Sequence, residues 1–400
     1  MPELSKRVST LGTENAFVVL GEVEELVRKG KDITSFCIGQ PDFVTPDNIR
    51  EAGIHAIREG KTGYTPSAGI APLREAVARI LGAEHGLDVA PTDVVVAPGN
   101  KAFIGYTVMS VTDYGQGDEV IFPNPGYPIY ESMIVAHGAV PVPLHLLEGR
   151  NFAFDPNDLA RKITPKTKLI ILNTPQNPTG GILTRKDLEA IAEIIRPHEK
   201  IWIYSDEIYG RLVYDGKFES IAALPGMAPR TVIADGCSKT WAMTGWRIGY
   251  AINRTLAPHF TRWVTNFEAC APHMSQFAAL EALTGPQDDA NRMKKTFHER
   301  RDLIVKLLNE IPGFKCLLPG GAFYVWPNVT EACKMIGAED SEVLRKRLLN
   351  DAGVAVLSDI HFGPRVPNEG QHIRFSYAAS TDAIKKGLER ISDYMRKNKR

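Results

Sequence analysis

Between residues 94 and 253, short runs of β-branched and other apolar residues recur along the chain, separated by stretches with helical periodicity. The runs are Val94–Val96, Glu119–Phe122, Val140–Val142, Leu169–Leu172, Trp202–Tyr204, Thr231–Ile233 and Ile248–Ala251. Strands that alternate with helices predict an α/β fold with a mostly parallel sheet. Several runs, Leu169-Ile170-Ile171-Leu172 above all, lack polar alternation, as strands do when helices cover both faces of a sheet. After about residue 290 the pattern changes. Asn291–Asn309 reads as a long charged helix, Phe314–Leu317 and Phe323–Trp326 flank a Gly320-Gly321 turn, and further helical periods follow. The expected organisation is an N-terminal arm and part of a small domain over 1–45, a large domain with the seven-stranded sheet over 46–290, and a smaller α+β domain over 291–400. No internal repeat or low-complexity linker is visible.

A length of 400 residues suits that division, and 44% hydrophobic with 24% charged residues is ordinary for a folded chain. Lys plus Arg equals Asp plus Glu at 47 each, so no global basic field gathers nucleic acid or an anionic membrane. Any anion must be held locally. Five cysteines, scattered and without a C-x-x-C pair, suggest neither a disulfide framework nor a zinc site, and fit a reducing cytoplasm. The polar start Met1–Arg7 has no apolar run behind it, and no 18-residue apolar stretch occurs, so neither export nor a membrane span is expected. The basic run Met395–Arg400 reads as a solvated helix end.

In parallel α/β sheets ligands bind beyond the carboxyl ends of the strands, so the residues after each run are the candidates. Gly236-Cys237-Ser238-Lys239 follows one run and leads to Gly245-Trp246-Arg247: a lysine placed to act as an amine nucleophile, with an arginine able to clamp a phosphate. The alternative is a loop lysine and a surface arginine. Asp206-Glu207 ends another run, where an acid either faces a ligand or caps a helix. Asn173–Gly181 follows a third, and Asn177 could donate its side-chain amide there. Ala97-Pro98-Gly99-Asn100-Lys101 turns from strand to helix through a glycine, exposing backbone N–H groups in the manner of a phosphate cradle or of an ordinary turn. Gly60-Lys61-Thr62 has only the tail of a nucleotide-binding loop, with His55 in place of its leading glycine, and no G-x-G-x-x-G occurs.

Together, Asn177-Pro178-Thr179-Gly180, Ser205-Asp206-Glu207-Ile208-Tyr209, Ser238-Lys239 with Met243–Tyr250, and Ile373-Arg374-Phe375-Ser376-Tyr377 resemble the class I/II aminotransferases of fold type I, which depend on pyridoxal 5′-phosphate (PLP), and most of all the prokaryotic aspartate and aromatic aminotransferases. The resemblance spans nearly the whole chain. It implies that Lys239 is the Schiff-base lysine and proton shuttle, that Asp206 faces the pyridine nitrogen, and that Asn177 and Tyr209 donate to the phenolic oxygen. Arg247, Ser238 and the backbone N–H groups of Asn100 and Lys101 are implied phosphate ligands, and Tyr127 the aromatic stacked on the ring. Gly39 and Arg374 match the groups that clamp the substrate carboxylate, a task that suits the planar, permanently charged guanidinium. Tyr64 matches a tyrosine lent to the neighbouring subunit's phosphate, which implies a homodimer with shared sites. Lys101 stands where aspartate aminotransferases hold a lysine near the distal carboxylate; its alternative is a lysine that adds positive potential or points to solvent. Gly236 departs from relatives that have a serine there, which implies one phosphate donor fewer.

The implied activity is ping-pong transfer of an amino group from an L-amino acid, such as aspartate, glutamate or an aromatic one, to a 2-oxo acid such as 2-oxoglutarate. Two other outcomes use the same scaffold. A C–S β-lyase would follow α-proton removal by elimination, and a PLP-binding regulatory module would not turn over.

Overall fold

The computed structural model describes residues 2–399; Met1 and Arg400, the outer ends of the polar N-terminus and of the basic C-terminal run, lie outside the described residues. All seven apolar runs are strands of one sheet: β1 Val94–Ala97, β2 Glu119–Asn124, β3 Val140–His145, β4 Thr167–Asn173, β5 Trp202–Asp206, β6 Thr231–Gly236 and β7 Gly249–Ile252. Their spatial order is β1-β7-β6-β5-β4-β2-β3. Neighbours from β3 through to β6 run parallel, while β7 is antiparallel to both β6 and β1. The sheet is therefore mostly parallel, with one reversed strand.

Because side chains alternate across a strand, each apolar run feeds two cores. Leu169, Ile171, Tyr204 and Val232 pack on one face with Phe103 and Phe260, which belong to the helices Lys101–Val111 and Ala257–Phe267. Ile170, Leu172 and Ile203 pack on the other face with Leu188 and Ile191 of the helix Arg185–Ile195. With both faces covered, polar alternation has no place. Each fully buried aliphatic side chain here stabilises the fold by about 1.5–3 kcal/mol.

Residues after 287 supply most of a further hydrophobic cluster, which Phe36, Ile208, Tyr209 and Leu212 also join. Met293, Phe297, Ile304 and Leu308 form the apolar stripe of the helix Asp288–Asn309, which lies against the terminal helix Thr381–Lys397 through Ile384, Leu388 and Ile391. A small antiparallel sheet joins Leu357–Ser358, Ile373–Ser376 and Tyr324–Val325. Nearer the other end of the chain, Thr34–Ser35 pairs in parallel with Val354–Ala355, so an early and a late segment of the sequence meet. Among the described residues, no helix is long and apolar enough to cross a membrane.

Candidate active site

The carboxyl ends of β1, β5 and β6, the loop after β4, the N-terminal segment and the strand Ile373–Ser376 converge on one cavity of about 600 Å³. Lys239 stands in its wall. Its strand must end on a glycine: a Cβ at Gly236 would lie 2.9 Å from the Ile248 carbonyl oxygen and 3.0 Å from Gly249 Cα, where β6 and β7 approach. A serine at this position would require β6 or β7 to shift. Lys239 Nζ donates to the Gly39 carbonyl oxygen at 2.8 Å. Burial lowers its pKa to about 8; Glu14 opposes that shift, while Arg374 and Arg247 reinforce it. An amine with that pKa is about half neutral near pH 8, as a nucleophile or base requires.

Asp206, the last residue of β5, is buried and points its carboxylate into the same cavity. Oδ1 accepts from the Asn100 side-chain amide at 3.0 Å and Oδ2 from the Tyr130 hydroxyl at 2.9 Å. Burial nonetheless raises its pKa to about 6. Glu207, next in sequence, faces away. Its carboxylate takes the Ser205 and Ser220 hydroxyls at 2.8 and 2.6 Å and the His85 ring at 2.6 Å. Of the acidic pair, one member serves the cavity and the other anchors the strand end.

Arg374 is buried between the rings of Tyr324 and Phe362, its guanidinium carbon 4.5 and 4.8 Å from their centroids. It donates to Asn177 Oδ1 at 2.9 Å and to the Cys37 carbonyl oxygen. Asn177 is in turn fixed by its own N–H on Asn173 Oδ1 at 3.0 Å. Tyr209 and Tyr324 share a hydroxyl–hydroxyl bond of 2.8 Å. Gly39 lies so close to Tyr324 that a Cβ would sit 2.0 Å from its hydroxyl oxygen, which leaves glycine as the residue that fits.

An anion cradle faces this group. The helix Lys101–Val111 has no side-chain cap at its N-terminus, and Gly99, at φ +94°, leads the chain into it. Gly249 permits that approach, since its Cβ would meet the Asn100 nitrogen at 2.2 Å. Ser238 and Arg247 complete the wall. Arg247 has a left-handed backbone, φ 59°, strain of about 1–2 kcal/mol for a side chain of this kind, and its guanidinium reaches the Pro98 and Thr244 carbonyl oxygens at 3.0 and 3.1 Å. Two N–H groups at a helix start beside an arginine suit a phosphate.

Tyr127 also lines the cavity, its hydroxyl donating to Glu14 at 3.0 Å, and Lys101 Nζ donates to the same oxygen of Glu14 at 2.8 Å. Lys101 is therefore an ion-paired residue, not a bare cation, in this arrangement. Tyr64 stands apart from its own chain's cavity and is 90% exposed. Glu14, Tyr130 and Tyr324 were not singled out from the sequence. Tyr130 lies three residues after Tyr127, a visible cue, whereas Tyr324 sits in an apolar run and Glu14 in a polar arm.

A desolvated lysine beside a buried carboxylate, a phosphate cradle and a buried arginine, all at the strand ends of a mostly parallel sheet, define the amine chemistry of a fold type I PLP enzyme. The chain belongs to the class I and II aminotransferase family, whose sequence profile matches residues 31–391. It is 39% identical to an aspartate aminotransferase of Geobacillus stearothermophilus over 98% of this chain and 99% of that one. It is also 36% identical to an aspartate/prephenate aminotransferase of Cereibacter sphaeroides, over 98% and 99% of the two chains. The solved structure of the Thermus thermophilus aspartate aminotransferase with maleate superposes with a TM-score of 0.91 at 34% identity, covering 98% of this chain and all (100%) of the other. The enzyme is an aminotransferase, and elimination or a purely regulatory role is set aside.

Members of this family use PLP. The residues present fit it. Asp206 is a buried carboxylate that enters no ion pair among the described residues, as a partner for a protonated ring nitrogen should be. The uncapped helix start offers a phosphate its donors, and Asn100 Oδ1 and Arg374 Nε are buried polar atoms without a protein partner.

Proposed function

We propose that this enzyme moves an amino group from an L-amino acid with an acidic or aromatic side chain to a 2-oxo acid such as 2-oxoglutarate, in two half-reactions that reuse one site. The reading rests chiefly on one observation: the Lys239 amine, desolvated and held by Gly39, shares a single cavity with the Asp206 carboxylate and the Arg374 guanidinium. PLP, when bound, supplies a carbonyl carbon for the amino group and a ring that accepts the electron pair left at the substrate Cα.

The chain's own residues do the rest. Arg374 receives the α-carboxylate as a bidentate clamp, with the Gly39 backbone beside it. This orients the substrate with its Cα–H toward Lys239. The Lys239 amine would carry the cofactor at rest and, once released, would take the proton from the substrate Cα and hand it across the amino nitrogen to the carbon beyond. With PLP bound, Asp206 would keep the ring nitrogen protonated, Asn177 and Tyr209 would donate to the phenolic oxygen, and Tyr127 would cover the ring face. Ser238, Arg247 and the N–H groups of Asn100 and Lys101 would take the phosphate. For an acidic donor, Lys101 is the cation that would meet the distal carboxylate.

The 90% exposed Tyr64, with Val44 at 71% and Phe17 at 59%, supports a homodimer in which Tyr64 reaches the partner's phosphate. We place the enzyme in the cytoplasm, where its five unpaired cysteines, four of them buried, would stay reduced. We also assign residues 46–290 to a large cofactor-binding domain, 291–400 to a small one, and 1–45 to an arm that completes the latter. The decisive experiment follows the absorption band of the PLP-loaded enzyme while single amino acids are added. Loss of the band with acidic or aromatic donors, and its return with 2-oxoglutarate, is expected; a band unmoved by any amino acid overturns the reading.

A further inference from the structure

With the α-carboxylate on Arg374 and Cα beside Lys239, the cavity wall left for the substrate side chain comprises Glu14, Phe17, Lys101 and Ile104. This placement rests on the function proposed above. The only cation on that stretch is Lys101, and it is already engaged. Glu14, the residue just before the helix Asn15–Arg28, presents one carboxylate oxygen to both Lys101 Nζ at 2.8 Å and the Tyr127 hydroxyl at 3.0 Å. The Glu14 side chain is 24% exposed against 44% for Lys101, so the carboxylate is the more enclosed partner of the pair. The Lys101 ammonium also lies 5.6 Å from the Tyr127 ring centroid, which keeps it against the wall.

The electrostatic consequence follows directly. An unpaired lysine would attract the distal carboxylate of aspartate or glutamate. A lysine that already holds a carboxylate presents a neutral pair, and an anion placed at Lys101 also faces the Glu14 charge at close range. An uncharged side chain leaves the pair intact and packs on Phe17, Ile104 and Tyr127. We propose that Glu14 is a specificity-determining residue: a resident carboxylate that satisfies Lys101 and shifts donor preference from acidic toward uncharged, aromatic side chains.

The test uses PLP-loaded enzyme and two non-reacting probes, maleate with two carboxylates and 3-phenylpropionate with one, whose binding is read by calorimetry. Glu14→Gln keeps the size and removes the charge. It should tighten maleate by about ten- to a hundred-fold, the range of one charge-assisted contact, and leave 3-phenylpropionate within about two-fold. Adding Lys101→Ala to Glu14→Gln should cancel the gain, whereas Lys101→Ala alone should alter maleate binding far less, a coupling that a double-mutant cycle reads directly. Under turnover, kcat/KM for aspartate relative to phenylalanine should rise with Glu14→Gln in the same proportion as maleate affinity. Equal changes for both probes, or none, would overturn the proposal and leave Glu14 as a tether for the N-terminal segment. Glu14→Ala serves as the second variant should the glutamine pair with Lys101 as an amide. A wild-type enzyme that binds maleate but reacts with no amino acid would count against the transaminase reading, while the probe comparison would still decide the role of Glu14.

Discussion

Asp206 is a liability in the empty protein, and that can be measured. Burial raises its pKa from the ordinary 3.8 to about 6. The shift, about 2 pH units, corresponds to about 3 kcal/mol at about 1.4 kcal/mol per unit. The folded state therefore holds this proton more tightly than the unfolded chain does. The contribution to stability is fully present below the ordinary pKa and is lost as pH rises through about 6. Asp206→Asn removes the charge but keeps an oxygen for the Asn100 amide, and it exchanges the 2.9 Å bond from Tyr130 for a neutral one, at a loss of about 1 kcal/mol. The cofactor-free variant should then exceed the cofactor-free wild type by about 2 kcal/mol at pH 8 and by less than about 1 kcal/mol at pH 5, a Tm gain of a few degrees that shrinks on acidification. Saturating PLP should reverse the ranking, because only the wild type gains the carboxylate–pyridinium pair. Thermal melts of both proteins at the two pH values, with and without PLP, are sufficient. An Asn variant that is no more stable at pH 8, or equally favoured at both pH values, would refute the reasoning.

Lys239→Ala should reduce turnover below detection with the fold retained, since no other primary amine stands at that place, and borohydride reduction of the wild type should leave the pyridoxyl group on the peptide containing Lys239. Mixed dimers of Tyr64→Phe and Lys239→Ala chains should contain one site free of both changes and regain part of the activity; no recovery under proven subunit exchange would place Tyr64 in its own chain's site or in none. Gly236→Ser, which places a Cβ 2.9 Å from the Ile248 carbonyl oxygen, should lower the Tm by several degrees without tightening PLP, as equilibrium dialysis and melting would record. Wild-type PLP affinity should weaken as pH falls through about 6, because the bound ring nitrogen favours ionised Asp206 over its protonated form; fluorescence titration across pH 5–8 checks the sign.

Much of this was legible in the sequence because a parallel sheet imposes it. Strands covered on both faces must be continuously apolar, so Leu169–Leu172 and its companions marked themselves, and polar residues just past each strand had to lie on the ligand edge. Asp206, Asn177 and Lys239 became candidates that way, and the family resemblance supplied their roles. What periodicity could not carry were contacts between distant segments. Glu14 and Lys101 are 87 residues apart, and nothing local to either predicts their pairing. Tyr324 reads as one more apolar strand residue, yet its hydroxyl meets Tyr209 and its ring supports Arg374. The division of labour in Asp206-Glu207 was hidden for a different reason: it depends on which side of the strand end each carboxylate leaves, and on His85 and Ser220 waiting behind it.

The meeting of Thr34–Ser35 with Val354–Ala355, and of Tyr324–Val325 with the strand that bears Arg374, divides the cavity wall between two parts of the chain. The phosphate cradle, Asp206 and Lys239 all lie between residues 99 and 247 and belong to a sheet complete by Ile252. Arg374, the proposed carboxylate clamp, lies instead on the strand Ile373–Ser376, paired with Tyr324–Val325. The groups that would hold the cofactor and the guanidinium that would grip an amino acid thus come from two separate stretches of chain, and the shape of the site depends on how those stretches pack together.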